Sequence, residues 1–335
     1  MNHTELKNRA FLRPQAVAAS SGIEPSGTCG VCYDTGSGGR QNMKTTKALN
    51  AKKTEAREYQ TRDSGIFFTV KDVLYEGKSK FQRIEIIRNK DYGRVLLLDG
   101  LVQTTERDEF YYHEMLVHPA MASHPRPAKV LIIGGGDGGA LREVLKHPVK
   151  KAWLVEIDGQ VIEACREHFP WLRKTLKDGR AELVVADGNV FIDKVRETFD
   201  VILVDSSDPV GPSTVLHQEA FYRKLKSKLN PGGIIAAQAG SLMLHLVSHA
   251  RKSVFLKKIF RHSPLYLGPV PTYPVGMWCY NFLSDEVDPA KIRTLYIPDG
   301  LRYFNPDIFR SAFALPNFLA DKLVKAKAKN NRGLQ

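Results

Sequence analysis

The segment VLIIGGGDGGALREVLKH, residues 130–147, constrains this chain more than any other. Residues 130–133 form a short apolar run, Gly134 to Gly139 hold five glycines and one aspartate, and Leu141, Val144 and Leu145 recur on one helical face. Strand, glycine turn and helix therefore follow one another. A glycine turn lets a ligand approach the backbone where a Cβ would block it, and the helix N-terminus offers free N–H groups. Read as G-x-G-x-x-G, with Glu156 about 20 residues further on, the segment matches the dinucleotide fingerprint. Asp137 argues against that ligand. Its carboxylate stands where a pyrophosphate would sit, and two like charges about 4 Å apart cost roughly 4 kcal/mol at an effective dielectric near 20. The loop invites a cation instead.

Strands and helices alternate after the loop. Strands are expected at 130–133, 152–156, 181–185, 201–205 and 233–238, each followed by a helix except the fourth, where a loop intervenes. The fold class is thus α/β, a doubly wound, Rossmann-like, parallel-rich sheet whose ligand lies beyond the carboxyl ends of the strands. Asp137, Glu156, Asp187 and Asp205 stand at those ends and are expected to face one crevice. Upstream, residues 65–75, 82–88 and 94–98 carry strand patterns separated by turn signals, which predicts a small antiparallel β-domain of five or six strands ending near Thr105. A helix over 106–122 begins acidic and becomes apolar, as an interior helix does. The expected division is a basic, unstructured tail over 1–55, a β-domain with its linking helix over 56–116, a catalytic domain over 117–325, and a basic tail over 326–335.

The formal net charge of +13 raises the question of nucleic acid. Residues 1–55 carry eight basic and four acidic side chains and residues 317–335 five and one, so the ends hold +8 of it. Basic ends on a modestly charged body, without a groove-reading motif, point to no nucleic-acid partner. No apolar run approaches 18 residues, so no membrane span is expected, and residues 1–25 lack a secretory apolar core; a cytoplasmic protein is expected. Cys29 and Cys32 form a lone C-x-x-C without a second ligand pair, while Cys165 and Cys279 read as core thiols. His245 and His249 are spaced i and i+4, but no third ligand is near them in sequence, so no metal site is expected.

The carboxylates carry the chemistry. Glu156, ending the second strand, could accept both hydroxyls of a ribose or be a solvated turn residue, and Asp187-Gly188 could read an adenine amino group. Asp205-Ser206-Ser207-Asp208-Pro209-Val210-Gly211-Pro212 is sharper: two carboxylates three residues apart at the end of a buried strand are costly unless something cationic uses them.

GGGDGG with LREV, EID, ADG, DSSDPVGP and PTYP, preceded by LDGLVQTTERDEFYYHEM, resembles the polyamine aminopropyltransferase family, spermidine synthases in particular. The likeness covers about residues 59–325. It implies transfer of an aminopropyl group from decarboxylated S-adenosylmethionine, a co-substrate, to a diamine, usually putrescine, with no metal or resident cofactor. It also implies that Gln82, Glu156, Asp187, Gly188 and Pro212 hold the methylthioadenosine part of the donor. Tyr112, His113, Asp137, Asp205, Ser206, Ser207, Asp208, Gln238 and Tyr273 would line the polyamine site, with Asp205 as the general base. A homodimer or homotetramer is implied as well. Val275 departs from the serine or glycine common at its place in PTYPVG, and TLKDGR, residues 175–180, lacks the Asp-Pro-Arg often found there. A class I S-adenosylmethionine methyltransferase, which shares the fold, a non-catalytic polyamine sensor and a nicotinamide dehydrogenase are the alternatives.

Overall fold

The computed structural model describes residues 53–207 and 211–332. Residues 1–52 of the tail expected over 1–55, with Cys29 and Cys32, lie outside the described residues, as does Asp208; Glu55, its last residue, opens the first strand.

Six strands come first: β1 (Glu55–Tyr59), β2 (Gly65–Thr69), β3 (Asp72–Lys78), β4 (Arg83–Asn89), β5 (Gly93–Leu98) and β6 (Leu101–Thr105). β1 and β2 form an antiparallel pair, and β3 to β6 an antiparallel meander. The single apolar run at 65–75 is therefore two strands in two sheets. The chain turns at Val70-Lys71, where the Lys71 N–H donates to Arg88 O.

α1 (Glu109–Met121) comes next and is buried on nearly every side. It packs against the sheet and helix of the large domain and belongs with them, so the expected boundary after residue 116 cuts through a single element. Pro119 lies inside this helix and cannot donate to Met115 O four residues back. Tyr266 fills the gap: its hydroxyl donates to Met115 O at 2.9 Å. Glu114, also on α1, accepts from the N–H groups of Arg302, Tyr303 and Phe304 at 2.8 to 2.9 Å, so one carboxylate anchors the C-terminal segment RYF.

The large domain then runs β7 (Lys129–Gly134), α2 (Gly139–Leu145), β8 (Lys151–Glu156), α3 (Gly159–His168), α4 (Pro170–Thr175), β9 (Ala181–Val185), α5 (Gly188–Lys194), β10 (Phe199–Asp205), a 3-10 turn Gly211–His217, α6 (Glu219–Ser227), β11 (Leu229–Ser241), α7 (Leu246–Ile259), β12 (Leu265–Pro269), β13 (Met277–Leu283), α8 (Pro306–Ala312) and α9 (Asn317–Arg332). The sheet order is β12-β13-β11-β10-β7-β8-β9, with β13 alone running against its neighbours. Chain order reverses between β7 and β10, which makes that junction the topological switch point. α9 continues to Arg332, so residues 326–332 extend a helix where a tail was expected. Alanine and lysine in KAKAKNNR are strong helix formers, and nothing in that run breaks the pattern. No helix among the described residues is long and apolar enough to cross a membrane.

Candidate active site

In the β7–β10 pairing Asp205 lies opposite Gly134, so the last residue of one strand abuts the first turn of the glycine loop. The approach leaves no room for a side chain: a Cβ on Gly134 would fall 2.1 Å from Asp205 O, and the backbone there has φ +85°. A Cβ on Gly139 would fall 2.1 Å from the His113 ring. The glycines thus bring the loop against both α1 and β10.

Four predicted side chains meet in this space. The Tyr112 hydroxyl donates to Asp205 Oδ1 at 2.6 Å. His113 lies between two carboxylates, with Nδ1 2.7 Å from Glu109 Oε2 and Nε2 3.5 Å from Asp137 Oδ2. Asp137 Oδ1 accepts the Gly139 N–H at 2.8 Å, while the Trp171 indole N–H donates to Asp137 O at 2.9 Å. Arg142 Nη2 closes the row on Glu109 Oε2 at 2.6 Å.

Burial and charge divide the two acids. Burial would lower the His113 pKa, but Asp137 and Glu109 outweigh it and hold the imidazole well above its ordinary value. Burial likewise opposes the charged form of Asp137, and the neighbouring His113 overcomes it, so the Asp137 carboxyl lies below the usual range. Asp205 is different: burial, with Asp137 adding repulsion, pushes it up to about 6, although His113 and the Tyr112 hydroxyl pull the other way. One carboxylate is held ionised against an imidazolium, and its neighbour titrates near neutrality.

Tyr273 packs its ring 5.7 Å from Tyr112 and donates its hydroxyl to Gln103 O on β6 at 2.5 Å. Its segment is fixed from the same side, because Asp108 Oδ2 accepts both the N–H and the hydroxyl of Thr272. Tyr273 to Gly276 make a turn in which Val275 has φ +69°. That is a left-handed position a β-branched residue rarely takes, and of the serine or glycine that the resemblance implies there it favours glycine. Ser206 and Gln238 stand in a second group. Gln238 Nε2 donates to Ser206 O at 2.6 Å and its Oε1 accepts from the Trp278 indole at 3.1 Å. Ser206 Oγ lies 3.3 Å from His217 Nε2, which also reaches Ser207 O at 3.1 Å.

The residues expected to hold the donor stand at or after the ends of β8, β9 and β10, except Gln82, which comes from the small domain. Glu156 Oε1 accepts the Asp158 N–H at 2.9 Å, and burial pushes its carboxyl up to about 7. Gln82, from the small domain, donates to Asp158 Oδ2 at 3.0 Å, so Asp158 ties it to the start of α3. Asp187 is exposed and caps α5 through the N–H groups of Asn189 and Val190. Gly188 is buried where a Cβ would meet Ile133 Cγ2 at 2.4 Å. Pro212 lies in the 3-10 turn.

Sequence reading missed Glu109, Arg142, Asp108 and Tyr280. Glu109 carried a signal, since it precedes His113 by four residues on one helix. Arg142 and Asp108 act across the fold and had none. Tyr280 packs 5.8 Å from the Tyr112 ring, and its buried hydroxyl has no hydrogen-bond partner among the described residues. His245 and His249 are engaged with the backbone of Ser241, and no group of three or more metal-ligating side chains occurs among the described residues.

Comparison with known proteins places this geometry. Residues 109–292 match the family described as the spermine/spermidine synthase domain, and residues 56–106 match the spermidine synthase tetramerisation domain. The polyamine aminopropyltransferase of Shouchella clausii is 44% identical over 270 residues, spanning 79% of this chain and 98% of that protein. That of Bacillus subtilis is 40% identical over 272 residues, spanning 80% and 98%. Among solved structures, a spermidine synthase in complex with the transition-state analogue AdoDATO superposes with a TM-score of 0.76 at 42% identity, covering 80% of this chain and 94% of that one. The spermidine synthase of Thermotoga maritima gives 0.75 at 40%, covering 84% and 99%.

Proposed function

The chain belongs to the spermine/spermidine synthase family and is a polyamine aminopropyltransferase, and from that premise we propose that it moves the aminopropyl group of decarboxylated S-adenosylmethionine to putrescine, with Asp205 as general base. The observation that carries the assignment of roles is the cluster at the switch point, where Tyr112, His113, Asp137 and Asp205 converge. A putrescine amine is protonated at neutral pH and cannot attack. Asp205 takes its proton, the amine nitrogen bonds to the methylene carbon beside the sulfonium, and the carbon–sulfur bond breaks with its electron pair going to sulfur. The products are spermidine and 5′-methylthioadenosine. The sulfonium is itself the leaving group, so the step as written calls on no metal or resident cofactor. Tyr112 holds the carboxylate in line, and Asp137 receives the donor's terminal ammonium, with His113 holding that carboxylate in place.

Glu156 supports the donor assignment, because a buried carboxyl with a raised pKa gains from two ribose hydroxyls. Gln82, Asp187, Gly188 and Pro212 complete that assignment; Ser206, Ser207, Asp208, Gln238 and Tyr273 are assigned to the acceptor. Assembly to a homotetramer through the small β-domain is part of the proposal. Exposed Tyr59 and Phe67 on β1 and β2 support it, and light scattering would measure it. A cytoplasmic location agrees with the unpaired Cys165 and Cys279.

Asp205→Asn tests the central role. The amide keeps the shape of the carboxylate but cannot accept the proton, and loss of a general base typically costs about 10² to 10⁴ in rate. Turnover is expected to fall by that order while calorimetric donor binding persists; near-normal turnover removes Asp205 from its role. Putrescine, cadaverine, agmatine and spermidine in competition, with products read by mass spectrometry, settle the acceptor.

A further inference from the structure

We propose that the cavity between the 3-10 turn Gly211–His217 and α7 is a second binding site, for a tetrahedral oxyanion of the phosphate class. The cavity is about 180 Å³ and is lined by His217, His245, Ser248, Arg251 and Lys252, with Ala239 and Phe255 closing it. His245, Ser248, Lys252 and Phe255 recur at helical spacing and form one flank of α7. Among the described residues the lining holds Arg251, Lys252 and two imidazoles and no carboxylate; burial pushes the His217 imidazole down to about 4, so that ring is neutral.

Lys252 is the anomaly that points to a ligand. It is only 8% exposed, and its ammonium has no hydrogen-bond partner among the described residues. Partial compensation comes from the face of Tyr222, 4.7 Å from Nζ. Neighbouring lysines behave otherwise: Lys228 reaches Val195 O at 2.7 Å and Lys224 reaches Asp193 at 2.7 Å. A buried, unpaired ammonium is costly, and burial alone drives the Lys252 pKa down to about 7. An anion in the cavity would pair it.

The class of anion comes from the donors. The lysine offers three N–H groups, Arg251 a fork and Ser248 a hydroxyl, more than a two-oxygen carboxylate can use and suited to a tetrahedron of oxygens. His217 Nε2 donates to Ser207 O, so its Nδ1 is an acceptor and can meet only a proton-bearing oxygen of the ion. A volume of about 180 Å³ compares with about 30 Å³ for a water, so the space takes such an ion together with several waters. Because His217 also touches Ser206, an occupant would be felt beside Asp205. That consequence rests on the function proposed above; the site itself does not.

The test is a melting curve of the full chain in inorganic phosphate against sodium chloride at equal ionic strength. A rise of roughly 5 °C, growing with the logarithm of phosphate concentration, is expected near a hundredfold excess over the dissociation constant. Lys252→Met, which fills the same space without the charge, is expected to abolish it, and Arg251→Gln to weaken it. Methyl phosphate is the second arm: a matching rise shows that phosphomonoesters enter, and a rise with phosphate alone shows a site for the free ion, either of which supports the proposal. Independently of any variant, acetylation of Lys252 read by mass spectrometry is expected to slow about tenfold or more in saturating phosphate. No rise in the wild type beyond that in sodium chloride, a rise that survives both substitutions, or labelling of Lys252 indifferent to phosphate overturns it.

Discussion

Asp205 and Asp137 have the same functional group within one cluster, and their surroundings give them opposite tasks. With its carboxyl pushed up to about 6, Asp205 is ready to accept a proton only above that pH. The ascending limb of kcat/KM, which reports the free enzyme, is therefore expected near pH 6. Tyr112→Phe removes the hydrogen bond that favours the ionised form, so the limb should move to higher pH, with a smaller effect on the plateau. A pH–rate profile of both proteins checks this, and an unmoved limb assigns it to another group. Asp137 bears on donor choice. Ordinary S-adenosylmethionine carries an added carboxylate on the carbon that bears the amine, and an ionised Asp137 repels it while attracting the lone ammonium of the decarboxylated form. A charge-assisted hydrogen bond contributes about 1.5 to 3 kcal/mol. Asp137→Asn should thus weaken the decarboxylated donor by about tenfold or more and leave S-adenosylmethionine unchanged or improved. Dissociation constants for both nucleosides on both proteins decide it, and equal weakening would make Asp137 a support for the loop.

At the scale of elements, α1 shows how a helix can break a local rule and be repaired from outside. Pro119 frees Met115 O, and the Tyr266 hydroxyl on β12 takes it up. Tyr266→Phe is expected to cost about 1 to 3 kcal/mol, the penalty for an unsatisfied buried acceptor, measured by urea unfolding. It should cost turnover as well, since α1 also carries Tyr112 and His113. The repair was invisible in the sequence because the two residues are 151 positions apart. The legible features had short range: the strand and turn around 130–139, the alternation after it, and carboxylates at strand ends. The split of 65–75 into β2 and β3 was not legible, because Val70-Lys71 carries no turn residue. Nor was the reversed direction of β13, since an apolar run such as MWCYNFL reads the same either way. The candidate site divides on the same line. Asp137, Asp205 and Glu156 announced themselves by cost and position, whereas Arg142 became visible only through the packing of α2 on α1.

Across the whole molecule the small domain contributes to the crevice proposed as catalytic. Gln82 reaches Asp158 from one end of it, and β6 holds Tyr273 from the other. The turn assigned to the acceptor is joined twice over to that side, by Tyr273 to Gln103 O and by Thr272 to Asp108, the N-cap of α1, whose other oxygen accepts from Thr105 on β6, while along the chain it belongs to the β12–β13 hairpin. Its allegiance can be read in time. Amide hydrogen exchange partitions a protein into segments that open together. If the two ties dominate, the Thr272 amide should exchange at the rate of β6 and not at that of the hairpin from which it projects, and Asp108→Asn should return it to the hairpin's rate. A segment remote in sequence would then share one opening event with the small β-domain proposed to join subunits. Subunit dissociation and loss of the acceptor wall would become a single kinetic process.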